Sequence, residues 1–153
     1  MKNKKLTAVA ALLLLILILI SFVVIRAYKP EPIVGVPNFS GQPYVVLNNN
    51  QPNFTEKDIT EKAYEFYSEL DALNRCGYTM ACIGTELMPT EDRGSIGQVK
   101  PSGWQTVKYD CVDGKYLYNR CHLIGFQLTG ENANERNLIT GTRYLNIEGM
   151  LPF

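Results

Sequence analysis

The sequence has few of the side chains from which zinc sites are built. Its 153 residues include a single histidine, His122, and four cysteines, none of which stands in a C-x-x-C pair. Protein zinc sites are usually made from such pairs together with histidines at defined spacings. A zinc-binding module is therefore a minor alternative, and the cysteines need another explanation.

The sequence also lacks an excess of positive charge. Fifteen basic side chains balance fifteen acidic ones, and residues 1–50 hold five of the bases and one of the acids. The remaining residues thus have a net charge of −4, which excludes a domain that is basic over its whole surface. Residues 93–146 differ, because seven basic and four acidic groups give them a net charge of +3. Such a local basic strip can hold a phosphate chain.

One long hydrophobic run occurs, over residues 6–25, and it contains no charge. Twenty helical residues span about 30 Å, the thickness of a bilayer core. A cleaved signal peptide is the alternative, but its apolar region is usually only about 7–15 residues long. We therefore predict a signal-anchor over residues 1–27. Three lysines precede the run, which favours a single-pass protein of the cell membrane with its domain outside, or a secreted domain if the signal is cleaved.

Residues 28–42 contain three prolines and two glycines and show no helical period, so they are predicted to form an extended linker. Residues 43–153 are long enough for one domain. An exported domain can form disulfides, and its four cysteines allow three pairings between which their spacing does not choose. These cysteines are Cys76, Cys82, Cys111 and Cys121.

The hydrophobic pattern predicts a mixed α+β domain. Residues 43–48 read as a first strand, and Thr55 reads as the N-cap of one or two helices that end near residue 73. The β-rich run at 104–110 and the run that begins at residue 115 are separated by a D-G turn, which predicts an antiparallel hairpin. Residues 140–150 have a helix-compatible composition. His122 is then at the end of the second hairpin strand, and Asn146 is on the following helix.

His122 is the first candidate for chemistry, although a lone histidine is more often structural than catalytic. A neutral imidazole can take a proton from water, and phosphodiester cleavage requires such an activated water. Arg120 and Arg143 are suitable phosphate partners, because a guanidinium is always charged and binds in a bidentate way. An asparagine oxygen is a hard neutral ligand for magnesium, which takes few protein ligands. For Asn132 and Asn134 we prefer a role in turns.

The stretch YNRCHLIG followed by NLITGTRYLN resembles the DNA/RNA non-specific endonuclease family of ββα-metal (His-Me finger) nucleases. The upstream PSGWQ and the downstream EGMLPF resemble its Gram-positive extracellular and competence-type DNA-entry branch. The similarity runs from about residue 43 to the end of the chain. It implies a ββα-metal core with an antiparallel sheet. It also implies that the last helix continues beyond Phe153 into further strands, so we expect the domain to be C-terminally incomplete.

Within this resemblance, His122 corresponds to the general base and Arg120 to the arginine of the family signature. Asn146 corresponds to the asparagine that binds Mg²⁺, with Mn²⁺ as another possible ion. Asn137 corresponds to an asparagine that supports the site without binding the metal. The substrate implied is DNA, with RNA as a further possibility, and the product is a strand with a 5′-phosphate. No protein partner can be inferred.

Two positions depart from the family signature, since Asn119 and Cys121 stand where it has aspartate and glycine. We expect Cys121 to pair with Cys76, which leaves Cys82 to pair with Cys111. Two other functions stay open. The chain can be an inactive, truncated relative that binds nucleic acid at the cell surface, or a protein whose cysteines stabilise a fold without catalysis.

Overall fold

The computed structural model describes residues 35–153, together with residues 13–16 and residue 19, which are helical. The rest of the signal-anchor predicted over residues 1–27, and the linker as far as residue 34, lie outside the described residues. In the described part of the chain, no helix combines the length and the apolar character that crossing a membrane requires. Residues 38–153 form one compact unit.

This unit contains four short strands, two short helices and a 3-10 turn at Asn48–Asn50. The strands and helices are β1 (Tyr64–Tyr67), β2 (Thr79–Cys82), β3 (Tyr118–His122), α1 (Phe126–Thr129), β4 (Leu138–Thr142) and α2 (Leu145–Met150). Strands β1 and β2 form one antiparallel pair, and β3 and β4 form another. Helix α2 has π-type hydrogen bonding, and the Leu151 N–H reaches back to the Asn146 carbonyl at 3.1 Å. The fold is mixed α/β with small antiparallel sheets, as the sequence predicted.

The prediction for residues 43–73 is wrong in both its parts. No strand forms over residues 43–48, and the predicted helical region contains β1. The N–H and the Oγ1 of Thr55 both donate to Asp58 Oδ2 at 2.7 Å, but the chain makes a single turn there and no helix follows over the described residues 59–63. The sequence of β1 is YEFY, and aromatic side chains favour a half-buried strand once a partner such as β2 is present.

The predicted hairpin forms only in part. Lys108 and Tyr116 make an isolated bridge, and the Leu117 N–H donates to the Val107 carbonyl at 3.0 Å. Beyond this point β3 pairs with β4, which places His122 opposite Leu138. The reason is register: β4 offers five consecutive partners to β3, whereas the run at 104–110 turns away after one bridge.

Polar contacts join the first strand pair to the region around β4. The hydroxyl of Tyr67 lies 3.4 Å from Thr129 Oγ1 and donates to Glu65 at 3.0 Å. Burial raises the pKa of Tyr67 to about 12, so this hydroxyl keeps its proton at neutral pH. Arg136 also donates to Glu69 at 2.8 Å. These contacts thus connect the first strand pair to α1 and to the loop before β4.

The predicted disulfides are not formed in the structure, where all four cysteines are free thiols. Instead, thiols contact backbone carbonyls. The Sγ of Cys76 donates to the Leu138 carbonyl at 3.3 Å, and that of Cys82 donates to the Thr60 carbonyl at 3.4 Å. Cys121 is completely buried, and Cys111 is exposed.

Gly141 lies close to the side chain of Cys121 in the β3–β4 pair. A Cβ atom added to Gly141 would lie 2.6 Å from Cys121 Sγ, which is too close for any real contact. The position that carries cysteine in place of the signature glycine is therefore matched by a glycine on the facing strand. We expect Gly141→Ala to lower the free energy of unfolding by about 1–3 kcal/mol, the usual cost of overpacking a core.

Urea unfolding of four proteins checks this expectation: the unsubstituted chain, Gly141→Ala, Cys121→Ala and the double variant. In the Cys121→Ala background the added methyl has room, so its cost should fall. Gly97→Ala is the control, because its Cβ would meet only Ser95 Oγ at an ordinary 3.6 Å. An equal cost for Gly141→Ala in both backgrounds would show that the thiol is not the obstacle.

Candidate active site

His122 ends β3, and its two ring nitrogens have different partners. Nε2 lies 2.8 Å from the backbone carbonyl of Asn132, and Nδ1 lies 3.3 Å from Nη2 of Arg93. A carbonyl can only accept a hydrogen bond, and a guanidinium can only donate. Nε2 therefore carries the proton, and the lone pair of Nδ1 accepts from Arg93. This tautomer gives the imidazole one basic atom with a fixed direction.

The surroundings of His122 keep the imidazole neutral. Its pKa is lowered from the ordinary value of 6.5, mainly because the ring is buried. The positive charge of Arg93 lowers this pKa further, while the hydrogen bond to the Asn132 carbonyl opposes the effect. At neutral pH the ring is unprotonated and can accept a proton at Nδ1.

The titration of His122 gives a direct test of these contacts. Because it is the only histidine, its imidazole proton resonances can be followed by NMR without ambiguity. We expect a pKa below 6.5, and in Arg93→Gln a higher pKa, because the neighbouring charge is gone. Lys57→Gln, which also removes one positive charge but does not contact His122, should leave the pKa unchanged. Equal pKa values in the Arg93 variant and the unsubstituted chain would contradict the contact.

The same pKa shift sets the direction in which pH affects stability. In the unfolded chain His122 has the higher pKa, so as the pH falls the unfolded state takes up the proton first. The contribution of the neutral ring to stability is therefore present above about pH 6.5. It is lost as the pH falls through the lower pKa of the folded state.

Asn137 is completely buried just behind His122. Its side-chain Oδ1 accepts from the Ile124 N–H at 2.8 Å, and its Nδ2 donates to the Ile124 carbonyl at 2.9 Å. Its own carbonyl accepts from the Leu123 N–H at 2.9 Å. The two residues after His122 are thus fixed to the start of β4, and this fixes the direction in which the chain leaves β3.

Arg120 points toward the loop before β3. Its Nε donates to the Val99 carbonyl and its Nη2 donates to the Gly97 carbonyl at 2.9 Å. Its guanidinium lies 3.8 Å from the ring centre of Trp104, a cation–π distance. Two N–H donors of Arg120 and the face of its guanidinium therefore hold the loop of residues 97–104, which the sequence did not suggest.

Arg143, the second predicted phosphate ligand, is paired with an acid. Its Nη2 and Nε lie 2.7 and 3.2 Å from Oδ2 of Asp113. The carboxylate of Asp113 is largely exposed, so water screens the pair and it contributes little to stability. A phosphate could exchange with this carboxylate at low cost.

One cavity of about 470 Å³ brings several of the candidate residues together. His122 lines it from the end of β3 and Asn146 from α2, and Arg120 also reaches it. Arg93 and Gln127 complete the polar part of the lining. Asn137 and Arg143 do not line this cavity, since the first lies behind it and the second borders a neighbouring groove.

Arg93 is the residue that the sequence did not single out. It stood only as one member of the basic strip, in a turn-rich segment 29 positions before His122. A periodic pattern could not have found it, because irregular loops are placed by tertiary contacts. The only signal in the sequence was its positive charge within the basic strip of residues 93–146.

The donor set of the cavity fits magnesium held jointly with a substrate. Asn146 offers an amide oxygen, and the cavity lining contains no carboxylate. In the described residues no group of three or more His, Cys, Asp or Glu side chains is placed to hold a metal. Magnesium often keeps several waters and takes one or two protein ligands plus phosphate oxygens. Such an ion needs the charge of the substrate to stay bound.

Asn119 occupies the position of the signature aspartate. Its Nδ2 donates to the Tyr118 carbonyl at 3.0 Å, while its Oδ1 is buried without a hydrogen-bond partner in the described part of the chain. A carboxylate here would bring a charge that no donor satisfies. The neutral amide suits these surroundings better.

Comparison with known proteins finds a family and solved structures to which this chain is similar. A family model described as DNA/RNA non-specific endonuclease matches residues 52–153, more than half of the chain. Crystal structures of NucA from Streptococcus agalactiae, with magnesium bound and with no metal bound, are 25% identical in sequence, with TM-scores of 0.54 and 0.52. Both alignments cover 65% of this chain and 47% of NucA, so the chain spans about half the length of these structures. A search of curated proteins found no match.

Proposed function

Since the chain belongs to the DNA/RNA non-specific endonuclease family, we propose that it hydrolyses the phosphodiester bonds of DNA, with RNA as a second substrate. The observation that carries this proposal is the state of His122. Its imidazole is neutral, directs its Nδ1 lone pair toward Arg93, and lines the same cavity as Asn146.

The proposed reaction begins with a water molecule near Nδ1 of His122. Nδ1 takes a proton from this water while the water oxygen attacks phosphorus. The bond from phosphorus to the 3′-oxygen breaks, that oxygen leaves with the electron pair and is protonated by solvent, and the product strand keeps a 5′-phosphate. Arg93 leaves Nδ1 and binds a phosphate oxygen, which frees the base as the substrate arrives.

Magnesium is the proposed cofactor, and manganese is the alternative ion. The oxygen of Asn146 would hold it, and NucA, with which this chain shares 25% identity, has been crystallised with magnesium. When bound, the ion would supply positive charge to the phosphate and to the leaving oxygen. Arg143 can add a phosphate contact from the neighbouring groove.

Plasmid nicking with Mg²⁺ or with EDTA tests the activity, and Asn146→Ala tests the metal ligand. We expect EDTA to stop cleavage, and we expect Asn146→Ala to need at least about tenfold more Mg²⁺ for half-maximal rate, the usual scale for a perturbed metal site. Asn146→Asp keeps an oxygen ligand and should need less Mg²⁺ than the alanine variant.

Two results would contradict parts of this proposal. Cleavage that continues unchanged in EDTA would exclude the metal-dependent reaction. Nucleic-acid binding without any cleavage, with or without Mg²⁺, would instead support a binding module at the cell surface.

We further propose that residues 1–27 anchor the protein in the cell membrane with the nuclease outside. The twenty uncharged residues at positions 6–25 and the lysines before them support this arrangement. Protease treatment of intact cells that express the chain with a C-terminal tag tests it. Digestion of the tag is expected, and a protected tag would contradict the proposal.

A further inference from the structure

A second groove lies beside the active-site cavity and is larger, at about 650 Å³. Arg120 and Asn146 line both spaces, so the groove adjoins the cavity. The groove is distinguished by its aromatic and basic side chains. These are Lys100, Trp104, Tyr116, Tyr118 and Arg143. We call it the aromatic–basic groove.

The row of side chains on β3 connects the groove to the base. Tyr118, Arg120 and His122 occupy alternate positions of this strand, so their side chains leave the same face. Four residues of strand span about 13 Å. Stacked nucleotides rise about 3.4 Å each, so the groove lies within about four nucleotides of a phosphate at His122.

The charges of the groove favour an anion. Its lining has three cations and no carboxylate. Two aromatic rings already have a cation on one face, since Arg120 lies 3.8 Å from the Trp104 ring centre and Lys108 lies 4.6 Å from that of Tyr116. Rings that alternate with basic side chains are the arrangement by which proteins hold unpaired nucleotides.

We propose that the aromatic–basic groove binds an unpaired base of the substrate strand next to the phosphate that is cut. This inference rests on the proposed function and adds a substrate class to it, namely single-stranded or locally melted nucleic acid. A base inside a duplex has both faces stacked on its neighbours and cannot stack on a side chain. A groove that bound only the phosphates of the nucleic-acid backbone would need the cations but not the aromatic rings.

Trp104 allows the proposal to be measured without cleavage, because it is the only tryptophan in the chain. In EDTA, with the unsubstituted protein, we expect oligothymidylate to change the Trp104 fluorescence. An abasic oligonucleotide of equal length and charge should bind about tenfold more weakly, since stacking on aromatic side chains adds roughly this factor or more per base. A duplex of the same length should also bind more weakly than oligothymidylate.

Tyr116→Ala supplies the second measurement. It should weaken the binding of oligothymidylate by about tenfold and leave the binding of the abasic oligonucleotide nearly unchanged. Tyr109→Ala is the matched control, because Tyr109 is similarly exposed but does not line the groove. It should leave both affinities unchanged.

The proposal is overturned if the unsubstituted protein binds the abasic oligonucleotide as tightly as oligothymidylate, or if the duplex binds most tightly. It is also overturned if Tyr116→Ala weakens both oligonucleotides equally. These measurements require no catalysis, so they are separate from the test of the nuclease. If His122→Ala retained full cleavage, the proposed function would fail while the binding results for the groove stood.

Discussion

Replacing His122 by alanine is expected to lower the rate of Mg²⁺-dependent cleavage of plasmid DNA by about 10²–10⁴-fold, the range that a general base contributes. The reason is that Nδ1 of His122 is the one neutral, directed base on the lining of the cavity. Binding of DNA should change little, because the cations around the cavity remain. Initial nicking rates and fluorescence anisotropy in EDTA provide the two measurements.

Rescue of the His122→Ala variant by added imidazole tests whether the missing group acts as a base. The alanine variant leaves a space beside Asn132 and Arg93, so free imidazole should restore part of the rate in proportion to the fraction that is unprotonated. The same additive should not affect Lys57→Gln, a control variant away from the cavity. A His122→Ala protein that cleaves at the full rate would contradict the assignment of the base.

Replacing Asn137 by alanine is expected to be the most destabilising single change among the site residues. It removes both hydrogen bonds from the buried Asn137 to the backbone of the half-buried Ile124. A fully buried group left without a partner costs about 1–3 kcal/mol, so for two half-buried groups we expect a loss of about 2–4 kcal/mol in the free energy of unfolding. Urea unfolding measures it directly.

Asn134→Ala is the matched control for this prediction. Asn134 lies in the same loop but makes a single side-chain contact, accepting from the Arg136 N–H at 2.9 Å. Its replacement should cost at most about 1 kcal/mol. Similar losses of unfolding free energy in the two variants would show that the two hydrogen bonds from Asn137 to Ile124 contribute no more than the single contact of Asn134.

Local pattern was sufficient to place His122 at the end of a strand and Asn146 on the helix that follows. Both positions follow from short-range signals: alternating side chains before His122, and a helix-compatible run around Asn146. The mixed α and β composition could be predicted for the same reason.

Long-range choices could not be predicted. Strand β3 could pair with the preceding run or with β4, and the five-residue register with β4 is visible only in the folded chain. Residues 64–67 belong to a run of apolar side chains at helix-like spacing and also hold three aromatic side chains, so their state depends on β2. Arg120 matched the family signature, but its contacts with the loop of residues 97–104 depend on where that loop lies.

The contact between Arg93 and Nδ1 of His122 makes proton binding and anion binding thermodynamically linked. An anion that draws Arg93 away removes a positive charge from the imidazole, so the pKa of His122 rises toward its ordinary value. By reciprocity, the anion binds more tightly when the ring is protonated. A phosphate ester thus strengthens the base that is to act on it, and inorganic phosphate at the same place would do so without being cut.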